Sequence, residues 1–95
     1  MRISKEKQER IKEQILGILF QNSPKALFTS DIAKELVRDE EFTKRLLSEL
    51  KDKGFVVSVT KNSRGIKYSK RIRWRISPKI YVAYKKLKEK GIEIY

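Results

Sequence analysis

The sequence predicts an α+β fold: three helices, a two- or three-stranded antiparallel sheet and a C-terminal helix. Two patterns support this prediction. Up to about residue 53, apolar residues recur every three or four positions, which is the spacing of one helix face. From residue 55 to residue 77 the spacing falls to two, which is the spacing of a strand. Residues 1–95 are therefore expected to form a single domain around one core.

Four helices are predicted, at residues 5–22, 30–37, 40–53 and 78–90. Each start has a side chain that can accept from the free amides of a first helical turn; in chain order these are Ser4, Thr29 or Ser30, Asp39 and Ser77. Pro24 and Gly54 are suited to end the first and third helices. Residues expected on the inward faces include Val37 of the second helix and Ala83 and Leu87 of the last.

A β-hairpin is predicted over residues 55–77, with turn residues at its centre. In its first strand the apolar set at alternate positions is Phe55, Val57 and Val59. In its second strand the corresponding set is Ile72, Trp74 and Ile76, and the alternating set is Arg71, Arg73 and Arg75. We expect the two apolar sets to share the buried face of the hairpin and the arginines to lie on the opposite face.

Positive charge is concentrated in the second half of the chain. The whole sequence carries 24 Lys or Arg and 12 Asp or Glu, which gives a net charge of +12. Residues 1–54 account for +2 of this charge and residues 55–90 for +11, with Glu89 as the single acid of the second segment. A solvated face usually mixes both signs, so the asymmetry indicates a surface that binds a polyanion. A lysine-rich surface of the thermophilic type is the alternative.

The composition excludes several classes of function. With no Cys and no His, disulfide, thiolate and imidazole chemistry are absent, and neither a metal site nor a cofactor is expected. Because there is no glycine-rich phosphate loop and no nucleophile–base pair, we expect no enzymatic activity. The apolar runs are shorter than the roughly 20 residues that span a bilayer, and no signal peptide is expected. A cytoplasmic protein without membrane contact is therefore expected.

Three segments resemble parts of the winged helix-turn-helix DNA-binding domain, as found in small transcriptional regulators of archaeal type. Residues 29–36, TSDIAKEL, resemble the positioning helix of that family, in which a hydroxyl residue precedes an I/L-A-x-x-L pattern. Residues 44–56, KRLLSELKDKGFV, resemble the recognition helix, which ends in L-x-x-L-x-x-x-G followed by an apolar pair. Residues 61–70 resemble the wing. The resemblance covers residues 11–77.

The resemblance implies binding to double-stranded DNA, with the third helix in the major groove and the wing on the backbone or in the minor groove. The residues expected to contact DNA are Thr29, Ser30, Lys44, Arg45, Ser48, Lys51, Lys61, Arg64, Lys67, Lys70, Arg71 and Arg73. Arg45 is the best candidate for a base contact, because a guanidinium can bind O6 and N7 of guanine together. An ion pair of Arg45 with Glu41 or Glu49 is the alternative.

One departure from the family pattern concerns the start of the recognition helix. Glu40 and Glu41 stand where that helix first meets DNA. Carboxylates at this position stabilise the helix N-terminus but repel phosphates. The third helix is therefore nearly neutral, and the expected contact shifts towards the more basic wing.

The sequence is also compatible with partners other than DNA. Residues 54–70 are similar to a stretch of a short, basic ribosomal protein family of the archaeal and eukaryotic small subunit, which makes RNA an alternative to DNA. Winged helices also act as protein–protein docking domains, and the arginine face would then meet an acidic partner. Regulators of the family often dimerise through the first or last helix, so a homodimer through residues 5–22 and 78–90 is expected.

Overall fold

In a computed structural model of the protein, residues 3–60 and 72–91 are described. In chain order the elements are α1 (Lys5–Asn22), β1 (Leu27–Phe28), α2 (Thr29–Leu36), α3 (Glu40–Asp52), β2 (Val56–Val59), β3 (Arg73–Ile76) and α4 (Pro78–Glu89). The predicted α+β architecture of three helices, an antiparallel sheet and a C-terminal helix is confirmed. Each helix begins and ends within one residue of its predicted position.

Side-chain caps fix the starts of three helices. The hydroxyl of Ser4 accepts from the amide of Lys7 at 3.2 Å, and the carboxylate of Asp39 accepts from the amide of Phe42 at 3.1 Å. Ser77 caps α4 in the same way. These are the caps that the sequence predicted, and each satisfies an amide that has no carbonyl partner in the first turn of its helix.

The start of α2 differs from the prediction. Phe28 occupies the N-cap position, and no side chain caps the helix there. Thr29 lies in the first turn and is buried, and its hydroxyl accepts a hydrogen bond from the indole N–H of Trp74 at 2.8 Å. The predicted cap by Thr29 or Ser30 is therefore wrong, because the chain enters the helix one residue earlier and the threonine hydroxyl serves the core.

The strand β3 lies at the centre of the sheet, between β1 and β2. Trp74 and Ile76 of β3 are buried, as predicted, and lie opposite Ser58 and Val56 of β2. Directly opposite residues of an antiparallel pair share one face of the sheet. Val56 is therefore the residue through which β2 joins the core, and its side chain is only 3% exposed.

This register corrects the predicted inner face of the first hairpin strand. Val57 and Val59 lie opposite Arg75 and Arg73, on the outer face of the sheet. Phe55 precedes the strand and is partly buried against the core from the turn that leads into it. Counting alternate positions from Phe55 therefore assigned every later residue of β2 to the wrong face.

Among the described residues, one hydrophobic core joins the first three helices to the sheet. Its fully buried helical members include Ile15, Leu19, Ile32, Leu46 and Leu47. Because α1, α2 and α3 each contribute to this cluster, the core fixes which face of α3 is turned to solvent.

The helix α4 packs at the edge of this core, and none of its residues is fully buried. Tyr81 and Tyr84 contact the ring of Phe20 on α1, with ring centroids 5.1 Å and 5.7 Å apart. Ala83 and Leu87 are exposed. The prediction that they point inward is wrong, because α4 meets the core with Ile80 and the two tyrosines.

Candidate nucleic-acid interface

A tight turn joins α2 to α3. It comprises residues 37–39, and Val37 takes a left-handed backbone conformation with φ 54°. The amide of Val37 donates to the carbonyl of Lys34 at 3.1 Å, and its side chain is 88% exposed. The predicted place of Val37 on the apolar face of α2 is wrong, because the left-handed residue reverses the chain and turns this side chain outwards. Two helices joined in this way form a helix-turn-helix unit.

The helix α3 is amphipathic along its whole length. Its buried side chains are Thr43, Leu46, Leu47 and Leu50. The opposite side is exposed and carries four of the predicted contact residues, which we call the basic face of α3: Lys44, Arg45, Ser48 and Lys51. This placement follows from the helical period, because residues three or four positions apart share a side of the helix.

The first turn of α3 is acidic and exposed. Glu40 and Glu41 lie in this turn, beyond the capping carboxylate of Asp39. The positive residues of the basic face begin with Lys44, one turn further along the helix. The part of α3 that can attract a phosphate is therefore its middle and C-terminal part.

Two neighbours on α3 hold Arg45 in place. Its Nη1 atom lies 3.1 Å from Oε2 of Glu49, and its guanidinium carbon lies 5.3 Å from the centre of the Phe42 ring. Of the two ion pairs considered for Arg45 from the sequence, the structure contains the one with Glu49. The arginine side chain is nevertheless 51% exposed, so part of its guanidinium faces solvent.

A lysine of α1 completes this cluster. Lys12 Nζ lies 2.7 Å from Oε1 of Glu49 and 3.7 Å from Oε1 of Glu9, and the lysine side chain is only 7% exposed. Lys12 is not among the residues predicted from the sequence. A signal was present, because Lys12 precedes Ile15 and Leu16 by three and four positions and thus lies on the apolar side of α1.

These contacts lower the pKa of the Glu49 carboxyl. The hydrogen bond from Lys12 is the main cause, and the positive charges of Lys12 and Arg45 add to it. Partial burial acts in the opposite direction and offsets some of this effect. The ionised form of Glu49 is therefore favoured in the folded protein.

The lowered pKa of Glu49 makes part of the stability dependent on pH. The unfolded chain releases this proton near the ordinary pKa of 4.5, and the folded chain releases it at lower pH. The stabilisation is thus complete above the ordinary pKa and is lost as pH falls through the folded-state pKa. We expect urea unfolding from pH 7 down to pH 3 to show the wild-type advantage over Glu49→Gln shrinking on acidification. A constant difference would contradict this assignment.

The remaining described contact residues lie near the sheet. The hydroxyl of Thr29 accepts from Trp74 inside the core and is buried there, so a phosphate has no access to it. Ser30 is partly buried in the first turn of α2. Arg73 lies on the outer face of the sheet with its guanidinium carbon 5.2 Å from the centre of the Phe28 ring.

The basic segment between the two hairpin strands lies outside the described residues. It contains the predicted contact residues Lys61, Arg64, Lys67, Lys70 and Arg71. Their assignment to DNA contacts stays a prediction from the sequence. The described chain enters this segment from β2 and leaves it into β3, which are paired in an antiparallel ladder.

The order and pairing of the elements define a winged-helix fold. A helix-turn-helix of α2 and α3 follows α1, and the antiparallel hairpin strands β2 and β3 follow α3. The short strand β1, before α2, completes the sheet by pairing with β3. The winged helix-turn-helix fold predicted from the sequence is thus confirmed.

Solved structures of this fold include DNA complexes. The S. aureus MepR–DNA complex aligns over 90% of this chain and 70% of that chain, with a TM-score of 0.68 and 20% sequence identity. S. aureus MepR in its DNA-binding conformation aligns over 90% and 66%, with a TM-score of 0.63 and 20% identity. A mutant of Lactococcus lactis ZitR aligns over 96% and 60%, with a TM-score of 0.63 and 16% identity. At these identities the likeness establishes the fold.

The chain spans 60% to 70% of the length of these three structures. No family profile and no curated protein sequence matches it.

Among the described residues, no helix combines the length and hydropathy that a membrane crossing requires. Residues 3–60 and 72–91 also contain no group of three or more His, Cys, Asp or Glu placed to hold a metal ion.

Proposed function

We propose that the protein binds double-stranded DNA and acts as a small transcriptional regulator, without catalytic activity of its own. The observation that carries this proposal is the exposed basic face of α3 in a helix-turn-helix unit. An α-helix fits the width of the major groove, and the second helix of such a unit is the one that enters it. Lys44 and Lys51 are suited to phosphates, and Arg45 is suited to a base edge.

The charge distribution supports the same partner. Residues 55–90 carry a net +11, and the described part of this segment includes five exposed lysines on and just after α4: Lys79, Lys85, Lys86, Lys88 and Lys90. A duplex carries one phosphate charge per about 1.7 Å of its axis, so such a surface gains affinity by releasing counterions. MepR, which shares the fold, has been solved in complex with DNA.

The proposed contact surface has three parts. The basic face of α3 would lie in the major groove, and Lys61, Arg64, Lys67 and Lys70 would lie on the backbone or in the minor groove. Arg71, Arg73 and the start of α2 at Ser30 would add backbone contacts. Thr29 is proposed to contribute through its main chain alone, because its hydroxyl is buried against Trp74.

We further propose a homodimer through α1 and α4, in a single domain located in the cytoplasm. Val82 and Leu87 of α4 are 50% and 38% exposed, and a partner copy would cover them. Two copies would place two recognition helices on successive half-sites of a duplex. Sedimentation of a strict monomer at micromolar concentration would contradict the dimer.

A salt-titrated gel shift tests the proposed function. It compares a duplex of the protein's own promoter, a random duplex and a structured RNA at equal nucleotide concentration. We expect both duplexes to bind, with affinity falling steeply as salt rises, and the RNA to bind more weakly. Stronger binding to the RNA would replace DNA with RNA as the partner. Absence of binding to all three would leave a protein–protein docking role.

A further inference from the structure

We propose that Glu49 is a specificity-determining residue that positions Arg45 for base recognition, with the buried Lys12 holding Glu49 in place. The inference rests on the proposed binding of duplex DNA by α3. It goes beyond that function because it assigns a role to two residues that are not expected to touch DNA.

The two oxygens of Glu49 are used by two different partners. Oε1 lies 2.7 Å from Lys12 Nζ, and Oε2 lies 3.1 Å from Arg45 Nη1. A carboxylate that is bound through both oxygens has little freedom to rotate away. Its anchor is also rigid, because Lys12 is only 7% exposed and belongs to α1, which contributes Ile15 and Leu19 to the core.

Held in this way, Arg45 keeps donors available for a base. A guanidinium has five N–H donors in a fixed plane, and the contact with Glu49 engages the Nη1 group. The guanidinium carbon lies 5.3 Å from the centre of the Phe42 ring, and the arginine side chain is half-exposed. An arginine fixed on two sides loses less rotamer freedom when it binds guanine than an unrestrained one does.

The carboxylate of Glu49 also disfavours binding of Arg45 to phosphates, which competes with binding to a base. Phosphates are offered equally by every sequence, and they attract an arginine through its charge. Glu49 balances that charge locally, which weakens the attraction of Arg45 to any phosphate. The planar pair of hydrogen bonds to guanine depends on geometry as well as on charge. Glu49 therefore raises the ratio of specific to non-specific affinity.

The test first selects preferred duplexes from a random pool with the wild-type protein. Dissociation constants at fixed salt are then measured on the preferred duplex and on single-base-pair variants of it, for wild type, Arg45→Ala, Glu49→Gln, Glu49→Asp and Glu35→Gln. Glu49→Asp keeps the charge but shortens the side chain by one methylene, which is expected to break the simultaneous contact with Lys12 and Arg45. Glu35→Gln is the matched control, because it removes the same charge from an exposed residue of α2 that has no proposed contact with DNA. Circular dichroism confirms that each variant is folded at the assay temperature.

We expect both Glu49 variants to lose about tenfold in discrimination at the same base pair that Arg45→Ala affects, and Glu35→Gln to keep it. In the Arg45→Ala background, Glu49→Gln should change that base preference no further, since it acts through the arginine. A folded Glu49 variant with full wild-type preference would overturn the inference. So would a wild-type protein that binds duplexes without sequence preference, although the proposed function would then stand. Failure of the wild type to bind any duplex would instead reject the proposed function itself.

Discussion

Replacing Lys61, Arg64, Lys67 and Lys70 together with alanine is expected to weaken binding to every duplex by orders of magnitude at low salt. Each phosphate contact adds about 0.9 to the slope of log affinity against log salt, so four lost contacts should lower that slope by about 3.6. The loss should be the same on preferred and random duplexes, because backbone contacts carry no direct sequence information. Fluorescence anisotropy between about 50 and 200 mM salt measures both quantities.

The matched control instead removes four charges from α4 and the residue that follows it. Lys79, Lys85, Lys86 and Lys90 are all exposed, and alanine preserves the helix. If the segment at residues 61–70 is the wing contact, the α4 variant should change the slope much less. An unchanged slope in the first variant would move the binding surface away from this segment. Equal changes in both variants would indicate a diffuse electrostatic attraction without a defined wing contact.

The substitution Thr29→Val is expected to lower the free energy of unfolding by about 1–3 kcal/mol. Trp74 is 2% exposed, and its indole N–H donates to the Thr29 hydroxyl at 2.8 Å. Valine has nearly the same shape but no acceptor, so the indole N–H would be left unsatisfied in the core. In a domain of this size each kcal/mol corresponds to about 4–8 °C in Tm. Urea and thermal unfolding measure the effect.

Two companion variants separate the hydrogen bond from packing. Thr29→Ser keeps the hydroxyl and should retain most of the stability that Thr29→Val loses. In a Trp74→Phe background there is no indole donor, so Thr29→Val should cost little beyond that change. An equal loss from Thr29→Val in both backgrounds would show that the change in packing at position 29 causes the loss of stability. The role of the hydrogen bond would then be rejected.

The helices could be predicted from the sequence because their signals are local. Asp39 and Ser77 each bond an amide three residues further on, and both caps were recognised without knowledge of the tertiary structure. The exposed basic face of α3 was predicted for a similar reason. The buried stripe that contains Leu46 and Leu50 leaves only the opposite side of the helix to solvent.

The inner face of β2 could not be predicted by the same kind of argument. Val56 and Val57 are identical residues at adjacent positions, so hydrophobicity does not tell which of them is buried. The choice is made by pairing with β3, where Val56 lies opposite the buried Ile76 and Val57 lies opposite Arg75. The register of this strand pair depends on the conformation of the segment that connects the two strands. A shift of the register by one residue exchanges the two faces of β2.

The supporting residues of the candidate site depend on contacts between distant parts of the chain. Thr29 resembled a helix cap, but its hydroxyl bonds an indole 45 residues further along. In the sequence Glu49 resembles an ordinary surface residue of α3, but in the folded protein it forms an ion pair with the buried Lys12 of α1. In both cases a polar side chain was recognised from the sequence, while its partner depended on tertiary packing.

The shallow attachment of α4 has a consequence for how the domain would respond to a partner. The helix is held through Ile80, Tyr81 and Tyr84, which are partly buried against the core, without a fully buried residue of its own. Its detachment therefore exposes less apolar surface than opening the core beneath it does, and costs less free energy. A second copy or a duplex that lay along α4 would stabilise this outer layer most. The fold thus combines a tightly packed unit, formed by the first three helices and the sheet, with a more loosely attached flank formed by α4.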